Sequence, residues 1–470
     1  MRIPPRSRGS VELQAERSAV ARRWVLPSQE FLHAETPGGL ILLAAAVLAM
    51  LLANASTAEG FARFWELPWT VQIGPYLMRG DLHELINDGL MTLFFFVAGL
   101  EIKREVVDGQ LSSVKRAAFP VIAALGGMVV PAFLYWTMNF GGGGAHGWGV
   151  PMATDIAFSI GVLSLIGRRL TKSARTFLLA LAIADDIGAI VVIAVFYSSG
   201  LHGWPILIAA GIWMAILGMN RVGVRSAPAQ LVAALGFWVS IRASGIHATL
   251  AGVILGISTP IRPWFRLSTT APSVHWLASK LERAVAANHS SRAEAILGKI
   301  EVLSQETESP LERKLRRYHP WSSWVILPLF ALANSGVALG GEALRGASQS
   351  SITWGIVVGL VVGKPLGIIS FAWLASQFGW ASAPRGLHFR ALVGVGLVAG
   401  IGFTVSVFVA GLAFRSVEQV AQAKVGILVA SVLAGGLGYA FLWLATDETR
   451  ATDGHGRNTD KSQKMEEGVG

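Results

Sequence analysis

The run Ala180-Leu181-Ala182-Ile183-Ala184-Asp185-Asp186-Ile187-Gly188-Ala189-Ile190-Val191-Val192-Ile193 puts two adjacent carboxylates inside an apolar segment that extends from 176 to 199. About twenty apolar residues suffice for a helix to cross the hydrocarbon core of a bilayer, and each charge carried there costs roughly 2.5 to 3.5 kcal/mol on insertion scales. Adjacent residues on a helix point about 100° apart, so Asp185 and Asp186 cannot address the same partner. Each needs its own.

Composition sets the solvent. Over 470 residues the chain is 53% hydrophobic and only 14% charged, which is the profile of a membrane protein. There is no cysteine, which excludes disulfides, thiol catalysis and Cys-ligated zinc. A net charge of +10 suggests nucleic acid until the basic residues are placed on a topology.

Apolar runs of near-spanning length lie at 38–54, 84–102, 117–139, 150–167, 176–199, 204–219, 227–241, 246–259, 321–339, 352–377, 389–413 and 424–445. None alternates as a barrel strand would, so the expected fold is an all-α integral membrane bundle of about twelve transmembrane helices. With a cytoplasmic N-terminus, about 32 of the 39 Lys and Arg fall on the inner side, as the positive-inside rule requires. Merging 227–241 with 246–259 would export the basic 260–320 segment. The basicity is thus a topology signal, and no nucleic acid is expected.

The expected organisation is a basic cytoplasmic arm at 1–35, a membrane domain at 36–445, and a disordered cytoplasmic tail at 446–470. The arm is disordered or touches anionic membrane lipid. Within 260–320, the stretch 284–303 reads as an amphipathic helix on the membrane surface or as a solvated linker. Blocks 117–199 and 352–445 each hold three spans with an interrupted middle one, at 149–155 and at 394–404. They enter the membrane from opposite sides. Such inverted-topology repeats with two discontinuous helices point to a binding site near the midplane.

Inside the spans the remaining charges are few: Asp155, Asp88 and Lys364. Pairing Lys364 with one aspartate lowers a cost that neither group bears alone. The other aspartate then faces Asp155 and Thr154, whose hard oxygens suit a small hard cation. Carboxylates that cannot comfortably ionise together hold a proton until a cation arrives. Competition of ion and proton for one set of oxygens, with alternating exposure, produces exchange.

The motifs Ala153-Thr154-Asp155-Ile156-Ala157-Phe158, Ala182 through Ile190, Gly245-Ile246-His247-Ala248-Thr249-Leu250-Ala251-Gly252-Val253, Gly363-Lys364-Pro365-Leu366-Gly367 and Gly400-Ile401-Gly402-Phe403-Thr404 together resemble the NhaA-type sodium/proton antiporters over roughly residues 35 to 445. The resemblance implies that Asp155 and Asp186 form the cation and proton site, that is, the metal site for transported Na+, and that Asp185 pairs with Lys364. It also implies half-helices whose facing dipole ends are balanced by Asp155 and Lys364. The implied activity is electrogenic export of Na+ or Li+ against H+ in a bacterial-type cytoplasmic membrane, with both termini cytoplasmic. No cofactor is implied, and a homodimer is admitted.

By the same resemblance, Asp88 lies on the cytoplasmic ion path, Glu101, Arg104 and Glu105 form a pH-sensing entrance, and His247 is linked to pH response. Read without it, Asn87-Asp88-Gly89 is equally a helix interruption and the charged 101–105 stretch equally a solvated helix end. One departure from the family concerns His319: Leu315 and Arg316 stand where a Glu-His pair is often found ahead of His-Pro. Rival readings are a same-fold transporter of another solute and an intramembrane aspartyl protease. The latter's Gly-x-Gly-Asp is replaced here by Ala182-Ile183-Ala184-Asp185.

Overall fold

The computed structural model describes residues 36–466 except 74–75, 168–169, 199, 225, 264, 266 and 339. The basic arm expected at 1–35 lies outside the described residues. The chain opens with helices α1 (Thr36–Asn54) and α2 (Ala58–Trp65), bent by 118° at the break between them. An antiparallel hairpin follows, β1 (Pro68–Ile73) on β2 (Tyr76–Asp81), in a register from Pro68 opposite Asp81 to Ile73 opposite Tyr76. The helical expectation stands, and this hairpin is a local addition to it. It sits between apolar runs, and its Trp69 side chain ties it shut by donating to the Asp81 carbonyl at 2.9 Å.

Next come α3 (Leu82–Val107), α4 (Val114–Asn139), a 3-10 segment (Ala145–Met152) leading to α5 (Ile156–Ile166), α6 (Lys172–Phe196) and α7 (Gly203–Val222). Two shorter apolar helices, α8 (Ala227–Ala243) and α9 (Thr249–Ser258), precede α10 (Leu267–Ala286), α11 (Ser290–Thr307) and α12 (Pro310–Trp321). The rest comprises α13 (Leu327–Asn334), α14 (Gly341–Gln349), α15 (Ser351–Gln377), α16 (Phe389–Ala399), α17 (Phe403–Ala413) and α18 (Val417–Glu466).

Seven of these segments are long and apolar enough to cross a membrane alone, or nine if each bent pair, α1–α2 and α16–α17, counts as one span. By length and composition, nine of the twelve apolar runs thus qualify as spans among the described residues. At 1.5 Å per residue α9 covers only about 15 Å, and the helical stretch around α13 is interrupted by a π-helical turn at Ser322–Ile326.

Two further expectations change. The surface helix expected over 284–303 is broken, because Asn288 turns the chain with φ 55° and sends α11 back along α10 around Leu277, Ala284 and Ile296. Asparagine tolerates that left-handed conformation. Beyond Ala445, where a disordered tail was expected, α18 continues through Glu466. Extending an existing helix adds one bond per residue and avoids the nucleation cost.

The two three-span blocks have the same order of elements: a long helix (α4, α15), an interrupted one (the 3-10 segment with α5, and α16 with α17) and a long one (α6, α18). Their first members meet at glycine. A Cβ on Gly126 of α4 would lie 2.2 Å from the carbonyl oxygen of Gly367 in α15. That contact brings α15 close enough for Lys364 to reach the interruption in the first block.

Candidate ion site

The site begins where two helices stop. Between the 3-10 segment and α5, residues Ala153 to Asp155 are extended, and between α16 and α17 lie Gly400-Ile401-Gly402. Each interruption leaves amides and carbonyls without helical partners, a cost that a membrane interior does not relieve with water. Here each break supplies the other. The Asp155 amide donates to the Ile401 carbonyl at 2.7 Å, Ser159 Oγ to the Val398 carbonyl at 3.2 Å, and Ser406 Oγ to the Val150 carbonyl at 2.9 Å.

Asp155 serves two helix starts at once. Its Oδ1 accepts from the Phe158 amide at 2.9 Å, capping α5, while Oδ2 accepts from the Thr404 amide at 3.0 Å and from Thr404 Oγ1 at 2.6 Å, in the first turn of α17. The positive ends of both helix dipoles thus face one carboxylate. At the opposite polarity, Lys364 Nζ donates to the carbonyl of Met152, the last residue of the 3-10 segment. Lys364 is entirely buried at the end of a π-helical turn, Gly359–Gly363.

Lys364 meets Asp185, with Nζ 3.0 Å from Oδ2. Thr154 Oγ1 donates to that same oxygen at 2.7 Å. Thr154 was expected beside Asp186; its hydroxyl bonds the ion-paired Asp185, while the residue also lines the cavity that Asp186 lines. Successive side chains of extended backbone point to different sides, so the Thr154 hydroxyl and the Asp155 carboxylate bond different partners, Asp185 and Thr404. Asp185 Oδ1 is buried with no hydrogen-bond partner among the described residues.

Asp186 faces the other way. With Thr154, Asp155 and Thr404 it lines a cavity of about 460 Å³ that is also walled by Glu101, Arg104, Glu312 and His319. His319 Nε2 lies 3.5 Å from Glu101 Oε1. Glu105 does not line this cavity; its Oε1 accepts from the Gln110 amide at 2.6 Å and closes the end of α3.

The residues expected on the cytoplasmic ion path or in the pH response fall into two groups. Asp88 sits in a π-helical turn of α3, Leu85–Leu90, thirteen residues or about 20 Å along the helix from Glu101. It is held there by Arg242 Nη1 at 2.7 Å, with His247 Nε2 at 3.9 Å from its other oxygen. Asp88 and His247 thus lie about 20 Å along α3 from the cavity-lining group of Glu101, Arg104 and His319. Sequence reading also missed Thr404 as the partner of Asp155, Glu312 in the cavity wall, and Arg242. The available signals were a hydroxyl just after an interruption and a lone arginine between two apolar runs.

Buried acids and one lysine at the contact of two interrupted apolar helices, with a cavity leading to two of the acids, define an ion-coupled secondary transporter. The chain belongs to the family described as Na+/H+ antiporter 1, whose model matches residues 29–442. It is similar to the Na(+)/H(+) antiporter NhaA of Rhodopirellula baltica, 43% identical over 429 residues that cover 91% of this chain and 96% of the relative. It is also similar to Na(+)/H(+) antiporter NhaA 2 of Myxococcus xanthus, 42% identical over 443 residues covering 93% of each chain. The Na(+)/H(+) antiporter NhaA of Janthinobacterium sp. is 41% identical over 456 residues, covering 93% of this chain and 97% of the relative. These relatives are antiporters, so the protein is a multi-pass secondary transporter and the protease reading falls.

Proposed function

We propose that the protein exports sodium, and lithium, from the cytoplasm in exchange for protons, with Asp155 and Asp186 as the oxygens for which cation and proton compete. The observation that carries this reading is the cavity that both acids line, while Asp185 is paired with Lys364. A cation entering the cavity meets carboxylate and hydroxyl oxygens, the donor set a hard monovalent ion requires. Protons occupying the same oxygens are released as it binds.

On the proposed topology twelve spans place both termini and the cavity mouth in the cytoplasm of a bacterial-type cell. The discontinuous spans are 145–166 and 389–413, related by inversion. The pH response is assigned to the mouth, where Glu101 meets His319. More protons than cations move per cycle, so exchange is electrogenic, and each net charge gains about 2.3 kcal/mol per 100 mV. Basic inner segments contact anionic lipid, the assembly is a homodimer, and no cofactor beyond the transported ions is needed.

The deciding experiment is proton-gradient dequenching in everted vesicles with sodium, lithium and potassium across pH. Sodium and lithium responses are expected, and a cation-independent signal would remove the reading. Asp155→Asn and Asp186→Asn should each abolish the sodium response; retention in both would remove the site assignment.

A further inference from the structure

From the floor of the cavity a chain of contacts runs to the far end of α3. Thr404 and Phe408 are one turn apart on α17 and share a face. The Phe408 ring packs against Phe95 at 5.4 Å, Phe330 at 6.4 Å and the His247 ring at 5.3 Å between centroids. Beyond His247 comes Asp88, and beyond Asp88 the guanidinium of Arg242, which binds Asp88 with Nη1 and Glu84 with Nη2.

These groups sit on helices that are joined very differently. Helices α3 and α9 touch backbone to backbone: a Cβ on Gly252 would lie 2.1 Å from the Thr92 carbonyl oxygen, and one on Gly256 would lie 2.5 Å from that of Phe96. A Cβ on Gly236 of α8, by contrast, would meet no backbone, only Ile212 of α7 at 3.5 Å, and α8 packs on α9 through side chains, Phe237 and Ile241 around Ala251. At this end α8 is tied to α3 by side chains, namely Arg242 and, one turn further in, Trp238 Nε1 donating to Thr92 Oγ1 at 3.0 Å. The segment of α3 that Arg242 grips is the π-helical turn, whose Asn87 is also held, by Asn334 Nδ2 at 2.8 Å. Such widened turns recur where helices rearrange for function.

We propose that Arg242 is a latch that keeps the end of the molecule opposite the cavity shut. Its planar fork of donors engages two carboxylates at once and holds α8 against the π-helical turn of α3. Release of the fork lets α8 part from the α3–α9 pair and opens a way past Phe408 to Asp155. The latch extends the alternating-access reading above, yet its test needs no transported ion.

Because the chain contains no cysteine, a single introduced thiol reports without background. Val405→Cys lines the cavity beside Thr404. Intact cells and everted vesicles present the two ends separately to a membrane-impermeant maleimide. With Arg242 intact, labelling is expected from the cavity side. In Arg242→Gln, labelling from the opposite side should accelerate about ten-fold, as an opened minor state becomes populated, with the cavity-side rate unchanged. Glu84→Gln combined with Asp88→Asn should reproduce the effect by removing the other half of the latch.

Unchanged opposite-side labelling in a variant that still labels from the cavity side overturns the proposal. Loss of cavity-side labelling marks an unfolded variant, and the carboxylate pair then decides. Absence of sodium-driven exchange in the unmodified protein would overturn the antiport reading, while the labelling ratio would still decide the latch.

Discussion

Two threonines separate the roles of the acids. Thr404 bonds Asp155 in the cavity and Thr154 bonds the buried Asp185, so their isosteric replacements should act on different properties. Thr404→Val removes a hydrogen bond to a carboxylate, of the kind that contributes about 1.5 to 3 kcal/mol, and should change the apparent KM for sodium about ten-fold or more. Thr154→Val should leave that KM within about two-fold and lower the melting temperature. Equal effects on KM would contradict the division. At Lys364, Met leaves Asp185 buried without its counter-ion, a change that costs about 3 to 5 kcal/mol in comparable cases. Lys364→Met should therefore melt well below the parent, and adding Asp185→Asn should recover much of the loss; a double variant no more stable than Lys364→Met alone would show that the pair is not what matters. The scarcity of charges within spans made a pairing of Lys364 with one aspartate legible, and the resemblance to the NhaA type assigned it to Asp185. The sequence left Thr154 and Thr404 ambiguous, since chain position cannot say which hydroxyl meets a carboxylate 31 or 249 residues away.

At the scale of elements, the close contact of α4 with α15 is the clearest test of packing. In Gly126→Ala the methyl would sit 2.2 Å from the Gly367 carbonyl oxygen, so α4 and α15 must separate. Overpacking of this kind costs roughly 1 to 3 kcal/mol, and the melting temperature should fall accordingly. Because α15 carries Lys364, exchange should weaken as well; an unchanged melting temperature would mean that the two helices are not this close. Helices were readable wherever an apolar run was long. The three π-helical turns, at Leu85–Leu90, Ser322–Ile326 and Gly359–Gly363, were not, because a widened turn is fixed by tertiary neighbours and has no composition of its own. The hairpin at 68–81 was missed for a related reason: two six-residue strands are too short to leave a periodic signal among long helices.

For the whole molecule, asymmetry is the informative property. Asp155 and Asp186 are reached from the end that carries His319, while Phe408, His247 and Arg242 close the other. If one net charge moves per cycle, imposing 100 mV across reconstituted vesicles should shift the equilibrium sodium gradient roughly fifty-fold, the equivalent of about 2.3 kcal/mol. No shift would make exchange electroneutral.

The carboxylate of Asp155 caps two helices, and this has a consequence for leakage. The Phe158 amide and the Thr404 amide and hydroxyl take three of its roughly four lone-pair sites, which leaves one, on Oδ1, for a cation while both helix starts stay capped. On the proposed mechanism, a cation that draws more than that one site from Asp155 does so at the expense of a helix start, so filling its shell and loosening the joint between the two half-helices become one event. On that reading the empty carrier stays fastened, and leakage is low because the joint loosens only with a passenger aboard.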